Sequence, residues 1–435
     1  MLRNNGRHNF RSPFGIQPSL VLDFAGTGTL DPRVTFTRST TGTYYNSSGV
    51  LSIAAINVPR FDYNPSTLAP LGLLIEQSST NLLTYSQTFS NAVWIAGLGT
   101  ASFSSTTTTA PDGTATAGTL LSSLSTGTHS AVWAYTSYVA GTYTLSWYIQ
   151  ANTNNFSSIY FASGSATNAI CTVNLSTGAI TKTGSNGNLT YISSSITLIT
   201  GTYYRVSLTV ALATTTSLVV GIQNNSSENP TYINGGPESW TALGTESINI
   251  WGSQLETLAF PTSYIPTTSA QVTRASDNAS MTGTNFSSWY NNEQGTLFVS
   301  SLINRSVNGS NGNYYASISD GTLLNNILLA QVSGVIGLIE SSGTLSFNQT
   351  LGNNASLNNI TAQMSLSYSS TSSYIALNGS VGSQVTNAVI PSVNSLQIGR
   401  RADSSPDAYL NGWVKKFSFY PIAFTGSQNQ ALTGS

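Results

Sequence analysis

The sequence predicts an all-β fold: two tandem antiparallel jelly-roll sandwiches preceded by an irregular N-terminal attachment segment. Three observations predict it. Strand formers such as Thr, Val, Ile and Tyr outweigh the helix formers, with 3 Met and little Lys or Glu. Apolar and polar residues alternate in short runs, the period of a strand with one buried face. Gly, Asn and Ser separate those runs as turn formers, and no fixed-period repeat of a β-helix or propeller is visible. The chain has 435 residues, 40% hydrophobic and 10% aromatic, enough for sizeable cores. Only 7% of it is charged, against roughly 25% in ordinary soluble domains, so hydroxyls and amides must hydrate the surface.

Residues 1–90 read as the attachment segment. Within it, VTFTRSTTGTYYNSSGVLSIA alternates around Asn46-Ser47-Ser48-Gly49, a hairpin signal. Pro59, Pro65 and Pro70 then break the pattern, and Glu76, in an apolar run, requires a hydrogen-bonded partner. Arg3, Arg7 and Arg11 cluster at the start, either as a solvated tail or as an anchor for an acidic patch of a larger assembly. Residues 91–266 carry the first sandwich, with strands such as YTLSWYIQA, SSIYFAS, YYRVSLTVAL, SLVVGIQ and SINIWGSQLE. A linker spans 267–282. The second sandwich, 283–435, repeats the style with GTLFVSSLI, SYIALNG and GWVKKFSFYPIAF before TGSQNQALTG, a short helical turn.

The joint runs GSQLETLAFPTSYIPTTSAQVTRASDNASM, from Gly252 to Met281. Strand alternation places Trp251 and Leu255 on one face, and Gly252 permits close backbone approach. Pro261 and Pro266 stiffen an exposed connection. Glu256 and Arg274 form a candidate pair setting the angle between the sandwiches, and Asp277 reads as a turn or cap residue. An exposed pair of this kind contributes about 0–1 kcal/mol.

This joint, WGSQLETLAFPTSYIPTTSAQVTRASD, resembles one found in tailed-bacteriophage virion proteins, where a carbohydrate-binding-type jelly roll ends on a Gln-Leu-Glu strand. The next module, opened by NFSSWYNNEQGTLFV and continued by IALNG, LQIGRR and YLNGWVKKFSFYP, resembles a laminin-G or concanavalin-like lectin sandwich. VTFTRSTTGTYY, NVPRFDYNP, GLLIE and TNLL resemble the leader of the same phage proteins. The resemblance implies a virion protein of a tail fibre, tail tip or head decoration. It implies other virion proteins as partners, host-surface glycans as targets, and a homo-oligomer, by analogy a trimer.

The residues themselves point away from catalysis. The acids are sparse, with Asp112 alone between Glu76 and Glu228, so a carboxylate pair or a Ser-His-Asp arrangement would need remote residues. His129 reads as a turn or surface histidine. The net charge of −1 argues against nucleic acid. Cys171 is alone in an alternating run, a buried thiol with no cofactor role. The N-terminus lacks the apolar core of a signal peptide and no apolar stretch approaches a membrane span, so assembly in a host cytoplasm is expected. Asp320, Asp403 and Asp407 are the weak candidates for a Ca²⁺ site, with turn formation the plainer role.

Sugar binding needs an aromatic face for a pyranose and amides or hydroxyls for its hydroxyl groups. Trp133, Tyr148 and Trp240 are the glycan-binding candidates. Trp147 and Tyr148 are adjacent on one strand, so one faces the core and the other faces out. Trp240, in GGPESWTALG, is expected on a loop as an exposed platform; Trp251, Trp413 and Tyr420 are expected in cores. The leading expectation is a non-enzymatic virion protein displaying lectin-like modules. The alternatives are a decoration protein without ligand and a glycan depolymerase.

Overall fold

The computed structural model describes residues 14–434 except 97–99, 105, 165–166, 200, 233–237, 304–311, 333, 353–356, 358, 404 and 406, and except the side chains of 134 and 135. Arg3, Arg7 and Arg11 lie outside the described residues. The fold is all-β, as the alternation predicts, and its sheets are antiparallel. No described helix is long and apolar enough to cross a membrane.

The first sandwich is formed by two six-stranded sheets. One runs Leu189–Leu198, Tyr203–Leu212, Gly141–Ala151, Ser247–Glu256, Gly118–Ser122, Ala101–Phe103; the other runs Ala179–Asn186, Thr167–Asn174, Phe156–Ser163, Thr216–Asn224, Ser130–Tyr138, Trp94–Ala96. Their inner faces meet over Leu145, Trp147, Ile159, Cys171, Val206 and Ile250, all buried. Cys171 is the expected buried thiol, and burial pushes it up to about 12.

The second sandwich departs from the sequence reading in one respect. Its strand Gly412–Tyr420 is flanked by residues from the far end of the chain. Leu20–Asp23 pairs with its C-terminal half and Pro70–Ile75 with its start, and Phe61–Tyr63 extends the same sheet. Thr35–Thr37 likewise caps the facing sheet through Asn278–Thr282. The segment expected to be irregular therefore supplies edges and core to the C-terminal sandwich. Leu20, Leu22, Phe24, Leu73 and Ile75 sit in one cluster with Leu297, Phe417 and Phe419. The stretch expected as a linker is also structured, because Val272–Arg274 pairs with Ser79–Asn81. The terminal turn is a helix, Gly426–Thr433, closed by a Thr425–Gln428 capping box.

Short apolar runs broken by proline give little periodicity, and their partners lie some 340 positions away, which is why these strands escape a local reading. In effect the chain begins the second sandwich, inserts the first, and returns to finish the second. The predicted hairpin, Gly42–Tyr45 with Leu51–Ala54, stands at the seam and touches both. Leu51 packs with Tyr148, Trp251 and Tyr264 against the outer face of the first sandwich.

Candidate functional site

The seam is built on charge. Arg38, Arg60, Glu76, Arg274 and Asp277 are all at most 5% exposed. Asp277 receives Arg38 at 3.1 Å through one oxygen and Arg60 through the other. Glu76 lies 2.8 Å from Arg60 and 3.5 Å from Arg274. The backbones of residues 76 and 277 are tied as well: the Glu76 amide donates to Asp277 Oδ2, and the Asp277 amide to the Glu76 carbonyl. Burial alone would raise the Glu76 carboxyl, but Arg274 and Arg60 outweigh it and hold it down to about 2.

The Glu256–Arg274 pair expected from the sequence does not form. Glu256 is buried and accepts from Ser79 and Thr262 hydroxyls and from Gln254 Nε2, while Arg274 belongs to the cluster of Glu76 and Asp277. Asp277, read as a turn residue, is the centre of that cluster. The proline connection is buried too, with Thr262, Tyr264 and Ile265 each at most 2% exposed. Trp251 and Leu255 point to opposite faces, Trp251 to the seam and Leu255 to the core. A register shift opposite Ser146–Tyr148 separates them, at Gly252 with φ +60. A Cβ there would lie 2.7 Å from the Tyr148 ring.

Beside this cluster the seam opens into a cleft of about 230 Å³. One wall is the outer face of the first sandwich. Because side chains alternate, Trp147 enters the core and Tyr148 enters the cleft, as expected for that pair. Tyr148 is paired in register with Arg205 and Ser146 with Ser207, so Arg205 and Ser207 share its face. Ser195 and Thr197 line the same wall. The second wall is N-terminal: Tyr44, Tyr45, Asp62 and Tyr63. The third comes from the C-terminal sandwich and includes Trp413, which was expected in the core and is instead half-buried at the cleft. Its position follows from the strand Pro70–Ile75 beside it, whose pairing with Gly412–Tyr420 no local pattern reveals.

Asp62 ties these walls together. Its Oδ1 accepts from the Tyr45 amide and its Oδ2 from Trp413 Nε1 at 2.8 Å. Burial pushes its carboxyl up to about 6, although both donors pull the other way. The folded chain holds this proton more tightly than the unfolded one, so Asp62 favours folding at low pH and loses that advantage as pH rises from about 4 to about 6, a swing of about 3 kcal/mol. Glu76 acts oppositely: its contribution is complete above its ordinary value of 4.5 and is lost as pH falls toward about 2. Urea unfolding at about pH 4.5 and about pH 7 should therefore show a pH-dependent loss that shrinks by about 2 kcal/mol in Asp62→Asn. Equal pH profiles for the two proteins would contradict this assignment.

The three glycan candidates do not converge. Tyr148 is buried on the cleft floor, 3.1 Å from Tyr45 through their hydroxyls. Trp133 is half-buried on Ser130–Tyr138, edge-on to Trp94 at 5.3 Å. Trp240 is half-buried rather than a free platform: it donates its indole N–H to the Asn224 carbonyl and packs 4.8 Å from the His129 ring. His129 is itself fully buried between the Thr100 and Trp240 carbonyls, not at the surface. Two of the three metal candidates are occupied locally. Asp403 grips Arg401, Asp320 caps its own turn through Thr322 and Asn325, and Asp407 is exposed. No cluster of metal-ligating side chains occurs among the described residues.

No protein-family model and no curated protein matches the chain. Solved structures do. The NanB sialidase of Streptococcus pneumoniae is similar at 11% identity over 35% of this chain and 26% of its own, with a TM-score of 0.29. The Ruminococcus gnavus IT-sialidase CBM40, a structure bound to α2,3-sialyllactose, is similar at 18% identity over 33% of this chain and 84% of its own, with a TM-score of 0.27. A W1238A mutant of HCR/D matches at 11% identity over 35% of this chain and 40% of its own, with a TM-score of 0.27. The chain thus spans about a quarter of the length of NanB. At these scores the likenesses assign no residue a role.

Proposed function

We propose that the chain is a non-enzymatic saccharide-binding protein and that the seam cleft is its binding site. One observation carries this reading. Half-buried rings of Tyr44, Tyr63 and Trp413 and the hydroxyls of Ser195, Thr197 and Ser207 line one cavity. Ring faces suit the C–H side of a sugar and hydroxyls suit its OH groups. The volume lies below the roughly 300–1,000 Å³ of pockets for whole drug-sized ligands, so the cleft fits one terminal sugar rather than a long oligomer. The lining carboxylates are already engaged, Asp62 by Tyr45 and Trp413, and Glu76 by Arg60 and Ser263, which favours binding over hydrolysis.

The resemblance of the leader and joint to tailed-phage virion proteins supports a role on a phage particle, as a tail fibre, tail tip or head decoration displaying the site to host-surface glycans. Weak single sites then gain avidity of about 10²–10⁴ from a homotrimer and many copies. A glycan array probed with the full chain tests the site. Binding should weaken roughly 5–30-fold in Tyr63→Ala, with the melting temperature little changed, and persist in Trp240→Ala. A silent array would overturn the saccharide reading in favour of a ligand-free decoration protein. Loss with Trp240→Ala alone would move the site out of the cleft.

A further inference from the structure

We infer that the cleft selects a saccharide bearing a carboxylate, and that Arg205 is the residue that takes it. This rests on the saccharide reading above and adds the chemical class of the ligand.

The arginines differ in what they hold. Arg33, Arg38, Arg60, Arg274 and Arg401 each face a carboxylate within ion-pair distance. Arg400 faces none among the described residues, but its guanidinium donates to Asn278 Oδ1 and to the Arg401 and Asp403 carbonyls. Arg205 differs. Among the described residues it forms no ion pair, and it donates only through Nη2, to the Ser146 hydroxyl at 3.2 Å. Its Nε is shut off from water without a hydrogen-bond partner. Arg60 and Arg274 also leave Nε unbonded, but their charges are met by Glu76 and Asp277. A cation with a buried, unused donor is costly unless something else completes it.

The geometry defines what that is. The Arg205 guanidinium lies 5.4 Å from the centre of the Tyr148 ring, held over the cleft floor, and the side chain lines the cavity. Neighbouring Ser195, Thr197 and Ser207 offer neutral hydroxyls but no negative charge. Glu256 and Glu76 act on the Arg205 charge only from beyond ion-pair distance, and their oxygens, like those of Asp62, are committed to other donors. A planar fork matches the two oxygens of a carboxylate, and one cation matches a monoanion. A phosphate dianion would bring a second charge that nothing in the cleft meets.

The experiment uses the full chain on an array of saccharides ending in a hexuronic or nonulosonic acid. Each is printed beside its methyl ester and beside phosphorylated sugars. The acids should bind at least about 10-fold better than their esters, with Arg205→Gln erasing the difference and Arg205→Lys keeping part of it. Esters binding as well as acids, an acid preference that survives Arg205→Gln, or binding confined to the phosphorylated sugars would overturn the carboxylate assignment while leaving saccharide binding intact. Failure of acids, esters and phosphorylated sugars alike would remove both.

Discussion

Asp277→Asn should lower the unfolding free energy by about 3–5 kcal/mol, because it leaves buried arginines without their counter-charge. The side chains of Arg38, Arg60 and Asp277 are 0% exposed. Arg38 faces no other carboxylate within ion-pair distance among the described residues, and burial already pulls it below the ordinary arginine value. An asparagine keeps the shape but turns an acceptor into a donor that faces guanidinium N–H groups. Domains are commonly stable by only about 5–15 kcal/mol, so the variant gives up a large share of its margin. The partly exposed Asp31–Arg33 pair supplies the control, since Asp31→Asn should cost less than about 1 kcal/mol. Urea midpoints for both variants decide it; similar small shifts would mean that the cluster is not matched as described.

The second large effect concerns the ends of the chain. Residues 283–435 expressed alone should fail to fold cooperatively, whereas the chain from residue 14 onward should fold. Leu20, Leu22, Phe24, Leu73 and Ile75 are at most 2% exposed in the second core, and each contributes about 1.5–3 kcal/mol by burial. Together they rival the whole stability of an ordinary domain. The contact between the N- and C-terminal parts is also close: Gly72 has φ +106, and a Cβ on it would lie 2.3 Å from the Val414 carbonyl oxygen. Removing this strand strips the start of Gly412–Tyr420 of its partner and opens an edge. Calorimetry on the two fragments tests the point. A sharp, reversible transition for 283–435 would show that the second sandwich is complete without its N-terminal strands.

Much of the architecture was readable because its signals are local. Alternation placed Gly141–Ala151, Tyr203–Leu212 and Gly412–Tyr420, and a four-residue turn placed the hairpin at Asn46–Gly49. The unusual concentration of charge at the joint was visible too, in a chain where charges are rare. Its partners were not, because Arg38 and Arg60 come from a distant stretch that alternation alone does not bring to Asp277. The same limit hid the cleft. Tyr148 could be placed on an outward face from strand parity, but Tyr63, Arg205 and Trp413 meet only through tertiary folding. Trp240 shows the converse: a loop composition rich in Gly and Pro reads as exposed, yet the ring is packed on a buried histidine.

Hydrogen exchange of the full chain with and without its best-binding saccharide is the most direct test of the cleft. Slower exchange should appear together in three separated stretches, 43–45, 62–65 and 260–264, which all line that cavity. Protection confined to the neighbourhood of Trp240 and His129, with those three stretches unchanged, would contradict it.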